Sequence, residues 1–256
     1  MIEFYKKRGE TPLEALKRLR VEHPKFVTET LSYAGRLDPI AEGILPVLVG
    51  EEENKNRKEF LNKDKEYQAT FLIGCSSDTG DVLGVLQNVD FGKVEEGNIE
   101  QTIKSLNTIT EQTYPWYSSK TVDSIPLFEY ARKGSTDITR PTRDIKIYSV
   151  GDIKIFEVEL HALVYEIIED IKKVRGDFRQ EEIITKWKEL ISHPELVLGP
   201  RNKTTRSRVK PGMTCVLVSC LLNVSSGTYI RALTENIEQA IGRPVLLYKL
   251  IRTKVL

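Results

Sequence analysis

Apolar and polar positions divide the chain into a helix, a strand-rich middle and a helical tract that returns to strands. Leu13, Leu16 and Leu19 recur at helical spacing behind Thr11 and Pro12. With Glu14 placed to complete a capping box, the spacing predicts a helix starting at Pro12 with those three leucines on its buried face. Residues 31–50 are punctuated by Gly35, Pro39, Gly43, Pro46 and Gly50, with an apolar run at 44–49 between the breakers. Residues 51–65 are charged throughout and read as one solvated helix. From Tyr67 to Ile73, Tyr, Ala, Phe and Ile alternate with Gln, Thr and Leu, the period of a strand. A loop is expected at 78–84. A strand follows at 152–160, with Ile153 and Ile155 in phase and a slip at Phe156. Residues 163–198 turn helical and polar, ended by Pro194, Gly199 and Pro200. A long apolar strand spans 214–224. Ile230, Leu233, Ile237 and Ile241 then share a helical face, stopped by Gly242 and Pro244. The tail, 245–256, reads as a strand. With no repeat, low-complexity tract or linker, the economical reading is one mixed domain (1–256) carrying a helical insertion at 163–205.

Composition narrows the classes. A hydrophobic fraction of 40% with 29% charged residues is that of a globular chain with a sizeable core. Formal net charge is +1, so a nucleic-acid surface has to come from local clustering. Residues 201–210 hold one such cluster, Arg201, Lys203, Arg206, Arg208 and Lys210, readable as a solvated loop or as a phosphate contact. Cys75, Cys215 and Cys220 are too few and scattered for a disulfide framework, and the last two sit in an apolar run as buried thiols. His23, His161 and His193 lack ligand spacing, so no metal site is expected. The amino terminus lacks an apolar core of signal length and no run reaches membrane-spanning length, which makes the cytoplasm the expected location.

Two segments ask for chemistry. In Ala34-Gly35-Arg36-Leu37-Asp38-Pro39 a carboxylate sits on a turn between Gly and Pro. Alone this is an ordinary Asp-Pro turn. In Ser226-Gly227-Thr228-Tyr229-Ile230-Arg231 small residues precede an aromatic and a guanidinium, which alone is an ordinary helix start. Asp78-Thr79-Gly80 imitates an aspartic-protease triplet, but its flanks are not an apolar strand and no second copy supplies the carboxylate pair.

Taken together, the spacing from Gly35 to Gly50 and the Gly-Thr-Tyr-Ile-Arg run closely resemble the TruB family of tRNA pseudouridine synthases. The match continues at Asp64-Lys65-Glu66-Tyr67, at Ser77-Asp78-Thr79-Gly80-Asp81 with Gly84, at Tyr117-Ser118-Ser119-Lys120 with Tyr130-Ala131-Arg132, and around Leu250. The blocks run in family order over nearly the whole chain. The resemblance implies an α+β pseudouridine synthase fold: a long mixed, mainly antiparallel sheet flanked by helices, with an active-site cleft across its middle. It implies isomerisation of the T-loop uridine at position 55, with Asp38 as nucleophile or base, Arg231 as its partner and Tyr67 against the target base. A guanidinium beside a carboxylate favours its charged form. Tyr229 and Leu250 match residues of the base pocket, and Asp81 a polar partner behind it. If residues 229–231 are extended, Tyr229 and Arg231 point the same way; in a regular helix they do not.

The target lies in a folded loop, so the base has to be flipped out. Residues 116–143 correspond to the family's RNA-gripping segment. There Lys120, Arg132, Lys133, Arg140 and Arg143 are interleaved with Tyr117, Phe128 and Tyr130, which fits phosphate contact plus stacking. No cofactor or metal is implied, and the expected partner is the tRNA T-arm stem-loop, met by a monomer without an obligatory protein partner or membrane. There are departures. Lys6-Lys7 stands for a Lys-Pro dipeptide, Tyr33 for a histidine that handles the RNA loop, and Asp123-Ser124 where Gly is usual. One extra residue lies between Gly50 and Lys55. No small carboxyl-terminal RNA-binding domain follows Leu256, which places affinity on the catalytic domain. Two alternatives stay open: a catalytically idle tRNA-binding chaperone, or an enzyme for another structured RNA.

Overall fold

The computed structural model describes residues 1–135, 137–192 and 212–256. Strand β1 (Ile2–Lys6) leads into α1 (Pro12–Glu22), whose capping box forms: Thr11 Oγ1 accepts the Glu14 N–H at 3.3 Å and Glu14 Oε2 accepts the Thr11 N–H at 2.8 Å. The buried face is Pro12, Ala15, Leu16 and Leu19, and Leu13 turns outward at 61% exposure. Steps of three fall short of a 3.6-residue turn, so a Leu13-Leu16-Leu19 row drifts off the face that Ala15 completes.

Next come β2 (Leu31–Tyr33), β3 (Glu42–Val49), α2 (Gly50–Lys55), α3 (Arg57–Leu61) and β4 (Lys65–Ile73). The charged stretch expected as one helix is therefore two short ones broken at Asn56, whose backbone (φ −90°, ψ 14°) leaves the helical region. Its last residue, Lys65, belongs to the strand and is buried. Strands β5 (Cys75–Ser77) and β6 (Leu86–Val89) flank the 78–84 loop, and α4 (Glu96–Ser105) and β7 (Glu111–Thr113) follow. A hairpin of β8 (Thr121–Val122) and β9 (Ile125–Pro126), then α5 (Leu127–Arg132) and β10 (Thr142–Asp144), occupy the 116–143 segment. The rest is β11 (Ile147–Glu159), α6 (Leu160–Lys173), α7 (Gln180–Ser192), β12 (Thr214–Val224), α8 (Leu233–Ile241) and β13 (Val245–Val255). The end of the expected helical tract and the basic 201–210 segment lie outside the described residues.

The main sheet runs β1-β3-β13-β4-β12-β11, with β2 paired on β3. Every pairing in it is antiparallel except β13 with β3, where Ile251 faces Glu42 and Arg252 faces Gly43. This is the expected α+β architecture. Alternation on β4 sorts its two faces: Tyr67, Ala69, Phe71 and Ile73 pack with α4 and α8, and Leu72 packs with α6 and α7. Both faces are thus covered by helices. Register in β11 shifts twice, between Ile147 and Ser149 and between Gly151 and Lys154, where Asp152 has φ 47°, rather than at Phe156. Aspartate is among the few residues that visit the left-handed region without great cost. Phe156 stays in register with Leu217 and is simply exposed. The predicted helix at 230–241 begins as a 3₁₀ turn, Ile230–Ala232, and ends at left-handed Gly242. All three cysteines are buried and free. Among the described residues, no helix is long and apolar enough to cross a membrane, and no group of side chains has the makings of a metal site.

Candidate active-site cleft

Asp38 sits in the loop before β3, held from several sides. Its own carbonyl accepts the Ala41 N–H, closing the turn at 3.0 Å. Behind it, the buried Lys6 ammonium donates to the carbonyls of Ala41 at 2.5 Å and of Pro39 and Lys7 at 3.2 Å. Burial lowers the Lys6 pKa to about 8. Arg252, only 1% exposed, donates to Ile44 O at 2.6 Å and Gly35 O at 3.0 Å, tying the last strand to the same loop. That contact needs β3 and β13 to approach closely at Gly43 (φ 109°), where a Cβ would fall 2.3 Å from the Arg252 carbonyl oxygen. Sequence reasoning met Lys6 only as part of the Lys6-Lys7 departure, with no place in the site, and passed over Arg252; a basic residue inside an apolar strand was the only trace of the latter.

Arg231 meets Asp38 with one hydrogen bond, Nε to Oδ2 at 2.9 Å. Its remaining fork is spent on backbone: Nη1 donates to Thr79 O at 2.8 Å and Nη2 to Tyr117 O at 2.6 Å. One guanidinium therefore joins the Asp38 loop, the 78–84 loop and the 116–143 segment. The pair is asymmetric. The Arg231 side chain is 5% exposed and that of Asp38 39%, so the carboxylate opens onto the cleft while its partner is sealed. Burial works against the Arg231 charge, but Asp38 and Asp81 outweigh it and raise the pKa. Asp81 is itself buried; Thr79 Oγ1 and the Leu83 N–H each donate to its Oδ1 at 2.9 Å. Burial raises its carboxyl to about 6, against the pull of Arg231.

On one side of this pair lies a cavity of about 400 Å³, lined by Asp38, Tyr67, Tyr229, Arg231 and Leu250 among others. Tyr229 is extended (φ −93°, ψ 102°) before the 3₁₀ turn, which lets it and Arg231 face the same space, the guanidinium 5.7 Å from its ring. Tyr67 comes from β4 and is packed by Arg252, 6.0 Å from its ring. Lys65, Arg143 and Arg252 line the same cavity. Burial, with Arg252 nearby, lowers the Lys65 pKa to about 8. Arg143 Nε is buried without a partner among the described residues. Gln112, unremarked in the sequence, grips Tyr229 by its backbone: Oε1 accepts the N–H at 2.8 Å and Nε2 donates to the carbonyl at 2.9 Å.

The other expected contacts are more peripheral. Tyr33 lies on β2, lines neither cavity of the cleft, and stacks loosely on Arg57, whose Nε donates to its carbonyl at 3.1 Å. Lys120 is exposed, 5.3 Å from the Tyr114 ring. Arg132 lines the neighbouring cavity and donates to Asp177 O at 2.9 Å.

The fold has a likeness among solved structures. One chain of the crystal structure of a Cbf5-Nop10-Gar1 complex superposes with a TM-score of 0.53 at 19% identity, over 99% of this chain and 48% of its own length. That likeness concerns the fold. The model of the TruB family of pseudouridylate synthases (N-terminal domain) matches residues 24–169, so the chain belongs to that family. Similar curated proteins include tRNA pseudouridine synthase B of Blochmanniella floridana, 34% identical over 159 residues, or 59% of this chain and 62% of the relative. The protein of the same name from Fusobacterium nucleatum subsp. nucleatum is 31% identical over 184 residues, 67% of this chain and 62% of its own. The chain thus spans about three fifths of the length of these relatives.

Proposed function

We propose that this chain isomerises a uridine of tRNA to pseudouridine, at position 55 of the T-loop, with Asp38 as the catalytic carboxylate. The observation that carries the reading is the asymmetric pair: an aspartate open to a base-sized cavity and charge-matched by a sealed arginine. Isomerisation breaks the bond from sugar to ring nitrogen, turns the base and rejoins it through carbon, so the detached ring has to stay in place. Tyr67, Tyr229 and Leu250 offer it apolar walls, and a uridine of a folded loop reaches them by leaving its stack. Asp38 acts on the reacting nucleotide as nucleophile or base. Arg231 holds Asp38 through the hydrogen bond from Nε to Oδ2, and the Asp81 carboxyl adds its charge to that of Asp38 in favouring the guanidinium. Of the basic residues lining the cavity, Arg36 is exposed and Arg143 has an Nε without a partner among the described residues, which suits the phosphates flanking a flipped nucleotide. The names of the curated relatives support tRNA as the substrate.

The test is pseudouridine formation in unmodified tRNA transcripts by the purified chain alone, mapped to the nucleotide, for wild type and Asp38→Asn. Wild type is expected to convert the T-loop uridine, and Asp38→Asn to lose at least roughly 10²–10⁴-fold in rate while still binding RNA. Binding without conversion by wild type would leave a chaperone role. Preference for a hairpin from another RNA would overturn the tRNA assignment.

A further inference from the structure

Arg231 reaches Asp38 with Nε alone, and its direction is set by the two backbone carbonyls that take the rest of its fork, Thr79 O and Tyr117 O. These carbonyls lie in two loops outside the main sheet, so their separation has to be fixed by side chains. Asp78, the residue before Thr79, accepts a hydrogen bond from the Tyr117 hydroxyl at 3.1 Å. Burial, with Asp78 beside it, raises that hydroxyl to about 12, so it stays a donor. Arg179 forks onto the same carboxylate, Nη1 to Oδ2 at 2.6 Å and Nη2 to Oδ1 at 3.2 Å. Its guanidinium also lies 4.6 Å from the Tyr117 ring. Arg179 therefore touches both loops whose carbonyls hold Arg231, and a two-pronged contact fixes angle as well as distance.

Arg179 comes from the turn between α6 and α7, in the helical tract between β11 and β12 that the proposed reaction does not use. The turn does not need this guanidinium for its own shape. Gln180 closes it: Nε2 donates to Val174 O at 3.0 Å and Gly176 O at 2.7 Å, and Oε1 accepts the Phe178 N–H at 2.9 Å. The Arg179 backbone is meanwhile left-handed, φ 61°, a region that asparagine enters more readily than arginine. Local conformation would thus favour another residue, and the demand for arginine comes from what the side chain reaches. Backbone held in such a region collects around functional sites.

We propose that Arg179 is a positioning residue for the reaction: by clamping Asp78 and Tyr117 together it sets the two carbonyls that aim Arg231 at Asp38. The proposal rests on the uridine-isomerising reading above. Arg179 acts through Arg231 and does not touch the reacting nucleotide.

Single-turnover conversion of a T-arm stem-loop separates the rate of the bound complex from the dissociation constant. It is compared for wild type, Arg179→Asn, Arg179→Lys, Asp78→Asn and the double variant Asp78→Asn with Arg179→Asn. Asparagine suits the left-handed backbone at 179, and at 78 it keeps an oxygen for the Val85 N–H. Arg179→Asn is expected to slow the bound complex roughly 10–100-fold, since a misplacement of about 1 Å costs on the order of 100-fold. The dissociation constant should stay nearly unchanged. Arg179→Lys keeps the charge without the planar fork and should recover little of the rate. The double variant should be no slower than the slower single one, because both changes break one clamp. A loss confined to the dissociation constant, full rescue by lysine, or single effects that multiply would each overturn the proposal. So would a lowered melting temperature with an unchanged rate, which would make Arg179 a fastening of the turn alone. Exchange of the Arg231 Nε proton, followed by NMR without RNA, should quicken in Arg179→Asn. If wild type converts no RNA, the isomerase reading fails and the clamp stands or falls on that exchange. If wild type converts and Arg179→Asn equals it in rate and exchange, the clamp alone fails.

Discussion

Asp81 carries the cost of burying a carboxyl group. Its carboxyl, raised by burial to about 6 from an ordinary 3.8, holds a proton in the folded chain at a pH where the unfolded chain has lost it. Folding stability from this group therefore falls as pH rises through roughly 4 to 6 and is level above that window. Asp81→Asn keeps an oxygen for Thr79 and Leu83 and does not titrate. It should gain on wild type across that window, by no more than about 3 kcal/mol. Denaturant unfolding from pH 4 to 8 measures this; a constant difference over the range would show that Asp81 is not protonated in the fold. Asp38 and Arg231 were legible in the sequence because their flanking residues form recognisable blocks. Lys6 was not: a lysine at the end of a short strand carries no sign that its ammonium will end among three carbonyls.

Short elements, rather than long ones, place Tyr229. Strands β7 and β10 form a two-stranded ribbon in which Gln112 faces Arg143. Gln112 clamps the Tyr229 backbone while Arg143 donates to Ser226 O at 3.1 Å. The ribbon thus pins the turn ahead of Arg231 at two points. Gln112→Leu leaves a donor and an acceptor unpaired in a buried place and should cost about 1–3 kcal/mol of stability. KM for RNA should rise as Tyr229 loosens. Gln112→Glu, which keeps the acceptor for the N–H, should recover part of both; no difference between the two variants would argue against the clamp. Such elements escape periodicity: β7 is three residues long, too short for alternation to register. The two central strands were plain, β4 by its alternation and β12 as a long apolar run, the pattern of a strand covered by helices on both faces. The break at Asn56 was hidden, since a uniformly charged stretch has no apolar face to lose.

At the scale of the molecule, the cleft is assembled from parts far apart in the chain. Strand β4, which carries Tyr67, lies between β12 and β13, with Lys65 opposite Val224 on one side and Val255 on the other. The insertion helices α6 and α7 cover one sheet face, and their connecting turn reaches the cleft. Periodicity foretold the helices but not that their turn would wall the site, because the contact between Asp78 and Arg179 spans 101 residues.

The central place of β4 also sets an order of events in time. A ribosome releasing about 5–20 residues per second delivers β13 roughly 10–35 s after β4. Until β12 and β13 have both been made, β4, seven of whose nine residues are buried in the finished fold, leaves at least one edge open to other chains. Such long-range closure predicts slow refolding, with amide protection in β4, β12 and β13 appearing together in pulse-labelled exchange. Early protection of β4 alone would contradict it. The cleft around Asp38 and Arg231 is then among the last parts of the protein to exist, because Leu250 and Arg252 of β13 close one of its walls.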